Sequence, residues 1–347
     1  MKKLSLLFLL TLFLTTAIIG CSNEEASSEE ADGNVFELVK SRGNIVAGVN
    51  SDLPGFGYVT SDGSYAGFDV DFAKAIAAAV FGDAEAVEYR PLSAQERLTA
   101  VQTGEVDVLI RNTTNTLSRD AMGLNFAPTI FYDGQGIMVT KASGIKTLQD
   151  LEGARIAVDT GTTTELNLAD TFRLLGIEYE PVVFDGQDQV ISSYEQGSAD
   201  AWTTDRSGLV ARLETLANPD DHFILPNVIS KEPLAPVVNS SDSKWYDIVK
   251  WVVYATIQAE EFGITSENID SFMDSENPEI RRFLGLEGEL GSEIGLDNDF
   301  VINIIKEVGN YGEIYDRHLG PSTIFNLERG VNSLWTDGGL LYSPPFR

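Results

Sequence analysis

Arg155-Ile-Ala-Val-Asp-Thr-Gly-Thr-Thr-Thr-Glu165 is the stretch whose reading decides the fold class. Residues 155–158 form a short apolar run of strand length. Gly161 permits a sharp turn, and threonines then lead into a helix over residues 163–175 in which Leu168, Phe172 and Leu175 share one face. Gly176 ends that helix. A strand that passes through a glycine turn into an amphipathic helix is one unit of a mostly parallel α/β layer.

The unit recurs on both sides. Upstream, strand 45–49 precedes a helix over 69–80 with Phe72, Ile76 and Val80 in register. Strand 87–89, a helix over 94–103 stopped by Gly104, and strand 106–110 follow. Downstream come strand 182–184, a helix over 188–196 stopped by Gly197, and strand 199–203. The halves echo each other: Gly43-Asn-Ile-Val-Ala-Gly-Val-Asn50 parallels Gly153-Ala-Arg-Ile-Ala-Val-Asp-Thr160, and Gly104-Glu-Val-Asp-Val108 parallels Gly197-Ser-Ala-Asp-Ala201. Two copies in one order imply two similar α/β lobes rather than a solenoid. From about Glu232 the character turns helical, with helices expected over 245–261 and 298–308 and one or two more within 270–284. This tail must pack on an α/β lobe.

The N-terminal end is not expected to belong to the fold. Lys2 and Lys3 precede an apolar run over 6–19 that is short for a membrane span and ends at Gly20-Cys21, so residues 1–20 read as a signal peptide. Cys21 is the single cysteine of the chain, placed where bacterial lipoproteins are cleaved and acylated; an ordinary secretory signal with an incidental cysteine is the other reading. Residues 22–32 hold four glutamates and no aromatic residue, which suits a flexible linker over 21–34. An extracytoplasmic location follows, with the lipid as sole membrane attachment.

The net charge of −29 excludes nucleic-acid binding, which needs a basic face. It does not exclude an anionic ligand, because a cleft can be locally positive. Catalysis is poorly provisioned: His222 and His318 stand in no catalytic or metal-ligand spacing, and no Walker loop, dinucleotide glycine pattern or HExxH motif occurs. No catalytic residue, metal or cofactor is therefore expected, and His222, in Pro219-Asp-Asp-His222, reads as a solvated turn residue.

Anion recognition is better provisioned. Thr162, Thr163 and Thr164 open a helix whose N-terminus carries positive potential and free N–H groups. Thr162 with Glu165 also fits a plain capping box, and both readings stand. In the first half, strand 106–110 runs into Arg111-Asn-Thr-Thr-Asn-Thr-Leu-Ser-Arg119, again a strand exit rich in donors. Ligands of doubly wound sheets bind beyond the carboxyl ends of the strands, so one anion shared by both lobes is implied. A third exit, Thr203-Thr-Asp205, offers a carboxylate for a cation or a cap for the next helix. Anion donors plus one carboxylate suit a zwitterion such as a free amino acid. A micromolar dissociation constant corresponds to about −8 kcal/mol. Spread over roughly ten heavy atoms, that requires nearly every polar group satisfied in an enclosed site.

Taken together, Asp52-Leu-Pro-Gly-Phe56, Gly67-Phe-Asp-Val-Asp71, Gly104-Glu-Val-Asp-Val108, Arg111-Asn-Thr-Thr114, Ser118-Arg-Asp120, Gly161-Thr-Thr-Thr-Glu165 and Asp205 resemble the polar amino acid-binding proteins of ABC transporters. Tyr132-Asp-Gly-Gln135, Ser230-Lys-Glu-Pro-Leu234 and Gly309-Asn-Tyr-Gly-Glu313 are similar to the general L-amino acid-binding subgroup. The resemblance implies a two-lobed, hinge-linked periplasmic-binding fold of type II, with residues 35–132 and 233–347 as the first lobe, 133–232 as the second and the C-terminal helices on the first. It implies that Arg119, Thr114 and Thr163 bind the ligand α-carboxylate with the Thr162 backbone, and that Asp205 takes the α-ammonium with the Asn112 carbonyl. Asn50, Leu53 and Arg97 would then meet the ligand side chain. Members often carry a stacking aromatic near Leu53 or Gly55; here neither is aromatic, and a roomy pocket fits broad specificity. A monomer partnered by a membrane permease is expected. A dehydratase-like enzyme or a sensor module on the same fold are the alternatives.

Overall fold

A computed structural model describes residues 34–347. The signal peptide, Cys21 and nearly all of the linker lie outside the described residues.

Two five-stranded sheets repeat one plan. In the first, Val87–Pro91, Ile45–Val49 and Val108–Leu109 run parallel, and Val237–Asn239 and Leu124–Phe126 add antiparallel strands. In the second, Glu180–Phe184, Arg155–Asp159 and Ala201–Asp205 run parallel, followed by antiparallel Gln135–Thr140 and His222–Ile224. Ile45–Val49 and Arg155–Asp159, the strands of the first sequence echo, occupy the same place in the two sheets. Both are covered on two faces, which explains their continuous apolar runs. Pro181 is tolerated because its strand is an edge.

The chain passes between the sheets along a two-stranded ribbon in which Glu232, Pro233 and Leu234 pair antiparallel with Asp133, Tyr132 and Phe131. Helix Ser243–Glu261 then returns to the first lobe. Asp242 caps it by accepting from Trp245 N at 3.0 Å, and the Trp245 indole N–H donates to Asp107 O at 2.8 Å, pinning the helix to the first sheet. Its apolar face packs against helices Phe68–Phe81, Phe300–Glu307 and Tyr311–His318. The expected helices within 270–284 are a 3-10 turn, Ile269–Phe272, and a short helix, Pro278–Phe283.

Phe56 belongs to the core: it is fully buried and meets Phe68 and Phe131 edge-on. His222 departs from expectation. It starts a strand, is half-buried, and its Nδ1 lies 2.8 Å from the Tyr194 hydroxyl. Burial depresses its pKa.

Candidate functional site

A cavity of about 540 Å³, its open mouth included, lies between the two lobes. It is built where the strands of both sheets end, as open α/β sheets place their ligands. Asn50, Leu53, Arg97, Asn112, Thr114, Thr162, Thr163 and Asp205 all line it. Arg119 is not in the lining: it is 7 % exposed, and its Nη1 donates to Thr114 O at 2.9 Å.

The first-lobe wall is set by Asn112, which adopts φ 41°, a left-handed conformation that asparagine tolerates. Its N–H donates to Asp69 Oδ2 at 3.0 Å, and its carbonyl accepts from Arg97 Nη1 at 3.2 Å. That carbonyl, expected to face an ammonium, thus already holds a guanidinium and has one lone pair left. Burial pushes the Asp69 carboxyl up to about 7 against that N–H bond and the Arg111 charge.

The second-lobe wall is the helix start at Thr162. Its hydroxyl accepts from Glu165 N at 3.1 Å, while the Glu165 carboxylate accepts from Gly161 N, one residue away from a full capping box. Asp205 occupies the cap position of helix Arg206–Leu213 without a side-chain cap bond. Burial, then the charges of Asp133 and Glu232, raise its pKa well above the usual carboxylate range. Asp133, which accepts from Ser207, is pushed up to about 6 for the same first reason. A cation arriving here would relieve that crowding.

Glu232 connects the walls. Its Oε2 accepts from Thr114 Oγ1 at 2.6 Å in the first lobe and from Thr163 Oγ1 at 2.8 Å in the second. Its Oε1 accepts from Asn167 Nδ2 at 2.7 Å and from Ser230. One buried carboxylate of the ribbon thus binds donors of both lobes.

A model of the bacterial extracellular solute-binding proteins, family 3, matches residues 45–279. The chain belongs to that family. The family is one of extracellular solute-binding proteins, and the relatives that follow are binding proteins rather than enzymes. The chain is 50% identical to the general L-amino acid-binding periplasmic protein AapJ of Rhizobium johnstonii, over 96% of this chain and 99% of that one. It is 49% identical to the glutamate/glutamine/aspartate/asparagine-binding protein BztA of Rhodobacter capsulatus, over 91% and 94%. A solved periplasmic binding protein from Brucella ovis with glutathione bound superposes with TM-score 0.88 at 48% identity, covering 91% of this chain and 99% of that one.

For this family 3 protein, reading the sequence missed Arg111, Asp159, Gln187, Trp202, Thr204 and Arg212, which also line the cavity. Arg111 directly follows a strand, a usable signal. Trp202 and Thr204 share the face of strand Ala201–Asp205 opposite to that of Asp205, so alternation from Asp205 does not find them. Arg212 and Glu232 carry no local signal.

Proposed function

We propose that this family 3 protein captures free L-amino acids between its two lobes and delivers them to an ABC permease for import, with broad side-chain tolerance. The observation that carries the reading is the pairing of a donor end with an acceptor carboxylate across one cavity. Arg119 backs the Thr114 and Thr163 end, which suits an α-carboxylate, while Asp205 stands without a cap bond, which suits an α-ammonium. AapJ and BztA are named as amino acid binders, which supports the same assignment. Residues 35–132 with 233–347 would be one closing lobe and 133–232 the other, the ribbon of Phe131–Asp133 and Glu232–Leu234 the hinge. The protein would act as a monomer without cofactor.

Calorimetric titration of the protein lacking residues 1–32 with all standard L-amino acids tests this. Heat from several of them is expected; silence across the panel in folded protein refutes the reading.

We also propose lipidation of Cys21. The stretch Ile18-Ile19-Gly20-Cys21 and the absence of any other cysteine support it. In a Cys21→Ser variant the protein should leave the membrane fraction for the soluble one. A wild-type protein already found in the soluble fraction sinks the idea.

A further inference from the structure

Five buried side-chain nitrogens of the cavity lining have no hydrogen-bond partner among the described residues: Arg97 Nε, Asn112 Nδ2, Trp202 Nε1, and Nε and Nη2 of Arg212. All five are donors. The described lining holds no buried acceptor in the same condition. Buried donors without partners are costly, and a cluster of them in one cavity asks for acceptors.

The donors are not all at the end assigned to the α-carboxylate. That end is where Thr114 and Thr163 meet Glu232. Arg212 belongs to helix Arg206–Leu213 and makes a different approach to the first lobe, its Nη2 3.7 Å from Asp52 Oδ2, too far for a hydrogen bond. Its residue is 9 % exposed and that of Trp202 0 %. Trp202 contributes an indole N–H, which donates only. Arg97, 4 % exposed, brings its guanidinium from the first lobe to the same cavity, where burial first and then the Arg111 and Arg119 charges disfavour its own, with Asp205 and Asp159 opposing them. Such crowding of like charge is relieved by an anion. Asp159, Gln187 and Thr204 in the same lining supply acceptors for an N–H.

We propose that Arg212, Trp202 and Arg97 form a second acceptor-binding subsite that takes a terminal carboxylate or carboxamide on the ligand's side chain. The inference rests on the amino acid reading above. Within a broad range, L-aspartate, L-asparagine, L-glutamate and L-glutamine then bind most tightly.

L-Leucine is the informative competitor, because it has the branched skeleton of aspartate and asparagine with methyl groups in place of oxygen and nitrogen. A site built to donate hydrogen bonds rejects such an isostere strongly. Calorimetry on the purified full-length protein, its Arg212→Met variant and its Trp202→Phe variant reads the ratio of the asparagine and aspartate affinities to that of leucine. Wild type is expected to favour both by about tenfold or more. In Arg212→Met the ratio collapses toward one, and in Trp202→Phe it falls by a smaller factor, with melting temperatures monitored to exclude unfolding. Wild-type binding without preference overturns this inference alone, and the donors then serve only water. An equal loss for all ligands in Arg212→Met also overturns it, making Arg212 a structural contact to Asp52. Silence of wild type toward every amino acid overturns the amino acid reading and this inference with it.

Discussion

In Asp205→Asn, affinity for every amino acid is expected to fall by about a hundredfold or more, with little dependence on side chain. Removing one partner of a buried charge pair costs roughly 2–5 kcal/mol, and the ammonium is common to all ligands. Titration calorimetry reads the loss directly. The acidity of Asp205 supplies a second signature. Without a cation its pKa is raised, chiefly by burial and then by Asp133 and Glu232. An arriving ammonium favours the carboxylate and lowers that pKa, so binding expels a proton. Affinity is therefore full above the raised pKa and declines as pH falls below it. Heats measured in buffers of different ionisation enthalpy should show proton release in wild type and lose the Asp205 contribution in the asparagine variant. Retained affinity in Asp205→Asn moves the ammonium elsewhere.

Glu232→Ala is expected to weaken the fold and loosen the junction of the lobes together. Four donors converge on its carboxylate, two from the first- and second-lobe threonines and two from Asn167 and Ser230. Hydrogen bonds to a charged group contribute about 1.5–3 kcal/mol each, and orphaned buried partners add their own cost. A loss of about 3 kcal/mol or more should appear in denaturant unfolding. Glu232→Gln, which keeps one carbonyl acceptor, should lose less. The consequence for binding follows from counting protons. Each threonine hydroxyl has one, and those of Thr114 and Thr163 are spent on Glu232 Oε2. An α-carboxylate at this end must therefore take backbone N–H groups and the Arg119 charge, or draw the hydroxyls away from Glu232. In either case the ligand and Glu232 share one set of donors, so closure and binding are coupled through this residue.

Much of the fold was legible because its signals are local. Glycines that stop helices, hydroxyls that start them and apolar runs of strand length are each read within a few residues, and Gly104, Gly176 and Gly197 ended helices within one or two residues of the expected positions. Strand exits carry the site, so the residues that directly follow strands 45–49, 106–110 and 155–158 were open to the same logic. Contacts between distant segments were not. Glu232 meets Thr114 across 118 positions, and Arg212 meets Asp52 from the other lobe. Nothing in Ser230-Lys-Glu-Pro-Leu234 says that its acid turns inward. The arginines show the limit plainly. Both Arg111 and Arg119 flank the same donor-rich loop, and only packing decides that Arg111 reaches the cavity lining while Arg119 stands behind it. His222 was misread for the same reason, since its partner Tyr194 lies 28 positions away.

A free amino acid held between two lobes by groups contributed from both should draw the lobes together on binding. Small-angle scattering of the protein lacking residues 1–32, before and after saturation with L-glutamine, tests it most directly. A smaller radius of gyration is expected on saturation in wild type, with no change in Asp205→Asn at the same ligand concentration. Calorimetric binding of L-glutamine to wild type with an unchanged radius of gyration would contradict it.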